Sequence, residues 1–93
     1  MDRTYTVVLL KEEDGGYYVI VPALPGCVTQ GGTVEQCLER AREAIQSYLK
    51  ALEIEDDPVP EETGIVSFEM GEAQEARVHR VRVPELQEAA QAA

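Results

Sequence analysis

The sequence predicts an α+β domain in the order β-β-β-α-β, with a three- to four-stranded antiparallel sheet and one long helix packed on one face. Three observations predict it. Two short runs rich in β-branched and aromatic residues flank a diglycine turn. One helical apolar repeat follows. An acidic segment with prolines then precedes weaker strand-like segments. With 93 residues, we expect a single domain over 1–93, with its core at 4–52.

The first hairpin is predicted over residues 4–22. Residues 4–11 and 17–22 are the two strands, because Val, Ile, Tyr and Thr dominate both runs. Residues 12–16, Glu-Glu-Asp-Gly-Gly, are the turn, since glycine accepts positive φ angles. Pro22 has no backbone N–H for a sheet hydrogen bond, so it should end the second strand or lie at an edge.

A tight turn and a third strand come before the helix. Proline at the second position and glycine at the third indicate a type II turn at Pro25 and Gly26. A short strand of about residues 27–30 should follow. Thr33 and Gln36 then have the spacing of a capping box, in which the threonine hydroxyl accepts from the Gln36 N–H and the glutamine side chain reaches back.

One helix is predicted over residues 33–52, and its length is roughly 30 Å at 1.5 Å per residue. Its apolar positions recur at intervals of three and four, as on a single helix face: Val34, Cys37, Leu38, Ala41, Ala44, Ile45, Tyr48, Leu49 and Leu52. Residues 53–62 contain six acids and two prolines. They predict an exposed, extended connection.

The C-terminal part, residues 63–93, is less regular. Residues 65–70 are a weak strand candidate, 71–76 resemble a loop, and 77–83 are a second strand candidate. The sequence leaves open which of the two strands joins the sheet. A short terminal helix could begin at Pro84 and run to Ala93, because proline is favoured in the first helical turn.

Both faces of the first hairpin are apolar. Tyr5, Val7 and Leu9 alternate with Val8 and Leu10, whereas a strand buried on one face should alternate apolar with polar residues. One helix can cover only one face of the sheet. We favour self-association together with a partner protein as the cover for the second face. The alternative is that the C-terminal segment folds back over it.

The charge favours a basic protein partner. Eighteen acids and eight bases give a net charge of −10, which repels nucleic acid and attracts a cationic surface. The candidate contact acids are those clustered in the hairpin turn and after the helix: Glu12, Glu13, Asp14, Glu53, Glu55, Asp56 and Asp57. The one basic cluster, Arg77, Arg80 and Arg82, could contact nucleic acid, although balancing the acids before it is the simpler interpretation.

The sequence has few side chains suited to catalysis or metal binding. His79 is the only histidine, and no nucleophile with an adjacent base can be identified. Cys27 and Cys37 do not have zinc-site spacing, and we expect them to pack as small apolar residues. We therefore expect no enzyme, no metal and no cofactor. No secretory signal or membrane-length apolar run is visible, so the cytoplasm is the expected location.

Residues 16–33 carry a family resemblance. The tyrosine-rich strand is followed by Leu-Pro-Gly-Cys at 24–27, Thr-Gln-Gly at 29–31 and the helix-starting threonine. Together with the single long helix and Pro-Val-Pro at 58–60, these motifs resemble the HicB antitoxin family over about residues 4–62. Two positions depart from the family pattern, because Ala23 and Gly32 stand where many members have an acid.

The resemblance implies a truncated ribonuclease-H-like fold that lacks catalytic acids. It also implies an antitoxin that neutralises HicA, a small basic RNA-cleaving toxin, by steric and electrostatic occlusion. The family motif implies scaffold roles for Pro25, Gly26, Gln30, Gly31 and Thr33. The alternatives are an autorepressor of its own operon, an orphan HicB-like protein without a toxin, and, by analogy of fold alone, a nuclease.

Overall fold

A computed structural model describes residues 3–62 and 64–84 of the chain. Its elements are β1 (Arg3–Lys11), β2 (Tyr17–Ile20), β3 (Val28–Gly31), α1 (Val34–Glu55) and β4 (Ala76–Val83). The strands form one antiparallel sheet in the order β3-β2-β1-β4. This confirms the predicted α+β fold with one helix. Of the two C-terminal strand candidates, 65–70 and 77–83, the second forms the fourth strand.

The first hairpin forms as predicted, with Leu10 opposite Tyr18 in the register. In the turn, the Glu12 N–H donates to the Gly16 carbonyl over 2.8 Å, and Gly15 has a φ of 99°. β2 ends two residues earlier than predicted, at Ile20. The chain then leaves the sheet through Pro22, which cannot donate to a ladder.

The predicted turn after β2 is present. The Cys27 N–H donates to the Leu24 carbonyl over 2.9 Å, which closes a four-residue turn through Pro25 and Gly26. Gly26 has a φ of 83°, a value that glycine adopts without steric cost. The turn brings the chain back antiparallel to β2, so that β3 becomes the edge of the sheet.

The start of α1 has the predicted cap. The Thr33 hydroxyl accepts from the Gln36 N–H over 3.1 Å, and the Gln36 side-chain oxygen accepts from the Gly32 N–H over 2.7 Å. One backbone donor that the helix start would leave unpaired, the Gln36 N–H, is therefore satisfied, and the Gly32 N–H just before the cap is paired as well. The helix N-terminus is held against the end of β3 by these contacts.

The end of α1 differs from the prediction. The helix continues to Glu55 rather than stopping at residue 52. Glutamate is a good helix former, so the acids at 53 and 55 do not end the helix although they oppose its dipole. Asp56 ends it instead, in the left-handed conformation at φ 59°, and the Asp57 N–H donates to the Leu52 carbonyl over 2.9 Å.

The main core lies between α1 and one face of the sheet, here called the helix face. Odd-numbered strand residues and the predicted apolar stripe of α1 meet there. The buried members are Tyr5, Val7, Leu9, Tyr17, Val19, Val21, Leu24, Cys27, Cys37, Ala41, Ile45, Leu49, Val81 and Val83. Both cysteines are free thiols in this core, as predicted.

The opposite face of the sheet, here called the second face, is covered in its centre by the connection between α1 and β4. Residues 65–70, the weaker strand candidate, form no strand there. β4 already occupies the outer edge of β1 along its whole length, so these residues have no free strand edge of β1 to join. Val8 is fully buried and Leu10 nearly so. At the centre of this face, the C-terminal segment therefore folds back over the sheet, which is the alternative that the sequence left open.

The connection after α1 is partly buried. The prediction that residues 53–62 form an exposed connection is wrong for Val59, which packs partly buried against the core, and for Glu62, whose side chain is 5% exposed. The burial of Glu62 follows from a long-range contact that composition does not reveal. The predicted terminal helix falls, beyond Pro84, outside the described residues.

Candidate partner-binding surface

The candidate contact acids lie at two opposite ends of the domain. Glu12, Glu13 and Asp14 are exposed in the hairpin turn. That turn is next to the start of α1, because Gly31 at the end of β3 pairs with Tyr17 at the start of β2. α1 has 22 residues and is therefore about 33 Å long. The acids after the helix lie beyond its far end, so the structure does not bring the two clusters together.

The acids of the hairpin turn border an open hollow with a volume of about 1030 Å³. We call it the turn hollow. One wall is the hairpin turn, and the other is the turn that precedes β4, around Met70 and Glu72. Leu10 and Tyr18 of the second face lie between the walls. The turn hollow thus combines an apolar floor with an acidic rim.

The second acidic cluster has no such floor. Glu53 and Glu55 lie in the last turn of α1, followed by Asp56 and Asp57, and all four are exposed. The nearest large apolar side chain, Ile54, is 73% exposed. No basic residue lies in the last turn of the helix. This cluster is a protruding helix end rather than a concave site.

The three arginines of β4 do not form one surface. Arg77 lies on the helix face of the sheet, whereas Arg80 and Arg82 lie on the second face, since alternate strand residues point to opposite sides. The Arg77 Nε donates to Glu75 over 2.8 Å, and Arg80 pairs with Glu62 over 3.4 Å. Two of the three therefore neutralise acids that are close to them in the fold.

Glu62 is a buried carboxylate that sequence reasoning missed. It accepts from both the backbone N–H and the hydroxyl of Thr6, the latter over 2.7 Å. β2 pairs with β1 only as far as Val8, so the Thr6 N–H lies beyond the end of β2. The Glu62 side chain thus takes the place of a strand partner at that point. It also fastens the connection to the sheet.

A second contact fixes the start of this connection. The Tyr5 hydroxyl donates to the Pro60 carbonyl over 2.8 Å. Burial raises the pKa of Tyr5, which keeps the hydroxyl protonated and able to donate. Tyr5 and Thr6 point to opposite faces of β1, and together they hold residues 60–62 against it.

The family-motif residues shape the scaffold. A side chain at Gly31 would place its Cβ 2.9 Å from the Cys37 sulfur, which is closer than real contacts allow. Glycine at this position therefore permits β3 to meet the start of α1. The Gln30 carbonyl accepts from Arg40 over 2.9 Å, and the Pro25 carbonyl accepts from the Tyr48 hydroxyl over 2.8 Å. The motif thus sets how α1 lies on the sheet.

The reactive side chains do not assemble into a catalytic arrangement within the described residues. Burial raises the pKa of Cys27 and of Cys37, so both thiols stay protonated near neutral pH. His79 is half-buried in β4, opposite Val7 of β1. Over residues 3–62 and 64–84, no three His, Cys, Asp or Glu side chains are grouped to hold a metal ion. No helix in that part of the chain is long and apolar enough to span a membrane.

Comparison with solved structures defines the fold. A toxin–antitoxin complex from Streptococcus pneumoniae contains a chain that superposes with a TM-score of 0.71 at 19% identity, covering 96% of this chain and 73% of the other. The N-terminal domain of the Burkholderia pseudomallei antitoxin HicB gives a TM-score of 0.67 at 23% identity, covering 88% of this chain and 99% of that domain. This chain therefore has the same fold as the N-terminal domain of that antitoxin.

Sequence comparison identifies the family. The model for the HicB-like antitoxin of bacterial toxin–antitoxin systems matches residues 5–89. This chain therefore belongs to the HicB-like antitoxin family. A UPF0150 protein of Thermoplasma acidophilum is 48% identical over 56 residues, which is 60% of this chain and 81% of that protein. Antitoxin HicB 1 of Photorhabdus laumondii is 36% identical over 56 residues, which is 60% of this chain but only 36% of that protein.

Proposed function

We propose that this protein neutralises a small basic toxin of the HicA type by binding it and covering its RNA-binding surface. The observation that carries the proposal is the net charge of −10 on a HicB-like antitoxin fold. A complex described as HicA3 and HicB3 contains a chain of this fold, with a TM-score of 0.63 at 19% identity, covering 88% of this chain and 99% of that chain.

The mechanism is steric and electrostatic. A toxin that binds RNA needs a cationic surface, and an acidic domain is attracted to that surface at a distance. Once docked, the domain occludes the surface, so no chemical step is required. Exposed acids at the rim act mainly on the association rate and its salt dependence, because dissolved ions screen them beyond about 8 Å at physiological ionic strength.

Co-expression with a HicA-type toxin tests the proposal. We expect the two chains to purify as one complex and the antitoxin to restore growth of cells that express the toxin. The complex should weaken as salt is raised, since exposed ion pairs are screened. Toxin that stays separate from the antitoxin at low salt, with growth still arrested, would overturn the proposal.

Charge reversal at each end of the domain identifies the contact acids. One double variant combines Glu12→Lys and Glu13→Lys. A second double variant combines Glu53→Lys and Glu55→Lys. A matched control is Glu39→Lys together with Glu43→Lys, two exposed acids of α1. All three double variants change the net charge equally, so a greater loss of association rate in one pair identifies a local contact. Equal rates for all three would exclude both candidate clusters.

A further inference from the structure

We propose that the turn hollow is the docking site for a basic, amphipathic segment of the toxin. This inference rests on the proposed function and assigns one of the two acidic ends as the contact surface. The occupant carries lysine or arginine side chains next to an apolar side chain. The apolar floor, the acidic rim and the rigidity of the walls each support this assignment.

The floor of the turn hollow is apolar and partly open to solvent. Leu10, Tyr18, Met70 and Ala73 contribute to its lining. Tyr18 is 40% exposed and Met70 37% exposed, although both are large apolar side chains. Tyrosine and methionine are enriched in the cores of protein interfaces, where tyrosine offers a large rigid surface and methionine adapts its shape. The floor is therefore able to receive an apolar side chain.

The rim of the turn hollow is negatively charged. The carboxylates of Glu12, Glu13 and Glu72 form no ion pair with any described residue. Glu75 is already paired with Arg77. The one lysine of the lining, Lys11, holds its ammonium group over the Tyr17 ring, 5.9 Å from the centroid, on the helix face of the sheet. The rim thus offers these three carboxylates and that of Asp14, which among the described residues accepts only a backbone hydrogen bond from Gly16, to a cationic ligand.

The walls of the turn hollow are held by backbone hydrogen bonds. The Ala73 N–H donates to the Met70 carbonyl over 3.0 Å, with Gly71 at a φ of 58°. The Lys11 N–H donates to the Glu75 carbonyl over 3.0 Å and joins this wall to the end of β1. The site is consequently formed before a partner arrives, which lowers the entropic cost of binding.

The chemistry of the occupant follows from the lining. Lysine and arginine side chains bury an apolar stem and keep the charged head in water, which suits an apolar floor beneath a carboxylate rim. A volume of about 1030 Å³ accommodates several side chains of a peptide segment. A second copy of this chain is a poor occupant, because each copy carries a net charge of −10.

Binding of a HicA-type toxin to floor variants tests the site. We expect Tyr18→Ala combined with Met70→Ala to weaken binding by roughly tenfold or more, as loss of a central interface side chain does. Val28→Ala is the matched control, because Val28 is an exposed apolar residue on the same face of the sheet that does not line the turn hollow. Its affinity should change by less than about twofold. Urea unfolding of each variant checks that the fold is intact.

A peptide probe tests the site independently of any toxin. A synthetic peptide that alternates lysine and leucine should shift the amide resonances of Tyr18 and Met70 in ¹⁵N spectra. A peptide with serine in place of leucine should bind more weakly, and one with glutamate in place of lysine should not bind. Equal binding of all three peptides, or shifts elsewhere only, would overturn the proposed site.

The outcomes separate this inference from the proposed function. Toxin binding that survives both floor substitutions unchanged contradicts the turn hollow and leaves the antitoxin function standing. Absence of toxin binding contradicts both the antitoxin function and a toxin as the occupant, and peptide binding at the turn hollow would then mean that the site accepts a basic segment from a different protein. Affinity lost with the floor substitutions and kept with Val28→Ala supports both.

Discussion

The two faces of the sheet are closed in different ways. On the helix face, α1 lies along the sheet and buries a continuous set of residues that includes Val7, Val19 and Ile45. On the second face, an irregular connection covers the centre at Val8 and is fastened by Glu62, whereas Tyr18 near the margin stays exposed. The helix face depends on many packed apolar side chains, while the second face depends on a few polar contacts.

This difference has a consequence for function. A face closed by close-packed side chains resists change, because each lost methylene leaves a cavity. A face closed by an irregular connection leaves apolar side chains accessible at its margin, and these form the floor of the turn hollow. The helix face therefore supplies stability, and the second face supplies the surface on which a partner is expected to bind.

The largest effect is expected from Ile45→Ala on the helix face. Ile45 is fully buried under α1, and truncating such a side chain costs roughly 2–5 kcal/mol. Urea unfolding followed by circular dichroism measures this change. The matched control is Ile54→Ala, because Ile54 lies on the same helix and is exposed; its free energy of unfolding should change by less than about 0.5 kcal/mol. Equal effects of the two substitutions would contradict the assigned core.

An intermediate effect is expected from Glu62→Ala on the second face. The substitution leaves the Thr6 N–H without its acceptor and removes the ion pair with Arg80. An unsatisfied buried donor costs about 1–3 kcal/mol. Glu61→Ala is the control, since Glu61 is the exposed neighbour. The same urea experiment applies, and equal stability of the two variants would show that Glu62 does not fasten the connection.

The same variant sharpens the comparison of the two faces. If the connection loosens, the side chain of Val8 should become accessible while that of Ile45 stays buried. Methyl resonances in NMR spectra distinguish the two. A larger shift at Ile45 than at Val8 would mean that the faces are not closed independently.

The smallest effect is expected at the end of α1. Its last turn contains acids and no bases, which is unfavourable at the negative end of the helix dipole. Glu53→Lys and Glu55→Lys should each raise the free energy of unfolding by about 0.3–1 kcal/mol at low salt. The gain should decline as salt is raised, because these residues are exposed. Destabilisation by both substitutions would contradict the dipole argument.

Local patterns in the sequence determined most of the secondary structure. The alternation of the first hairpin, the Pro25-Gly26 turn, the Thr33 cap and the apolar period of α1 each act over a few residues, so they can be found without the fold. The predicted end of α1 is wrong because an acidic composition does not by itself end a helix. Glutamate sustains a helix, and it is Asp56 in the left-handed conformation that ends this one.

Only the tertiary structure decided how the second face is closed. The contact between Thr6 and Glu62 joins positions 56 residues apart, and no periodicity marks it. Residues 65–70 have the composition and length of a weak strand candidate, but β4 occupies the edge of β1 that they would need. The turn hollow likewise depends on two turns that are distant in sequence. Contacts between residues that are distant in sequence depend on where the strands end in the folded sheet. A pattern over a few neighbouring residues does not reveal those end points.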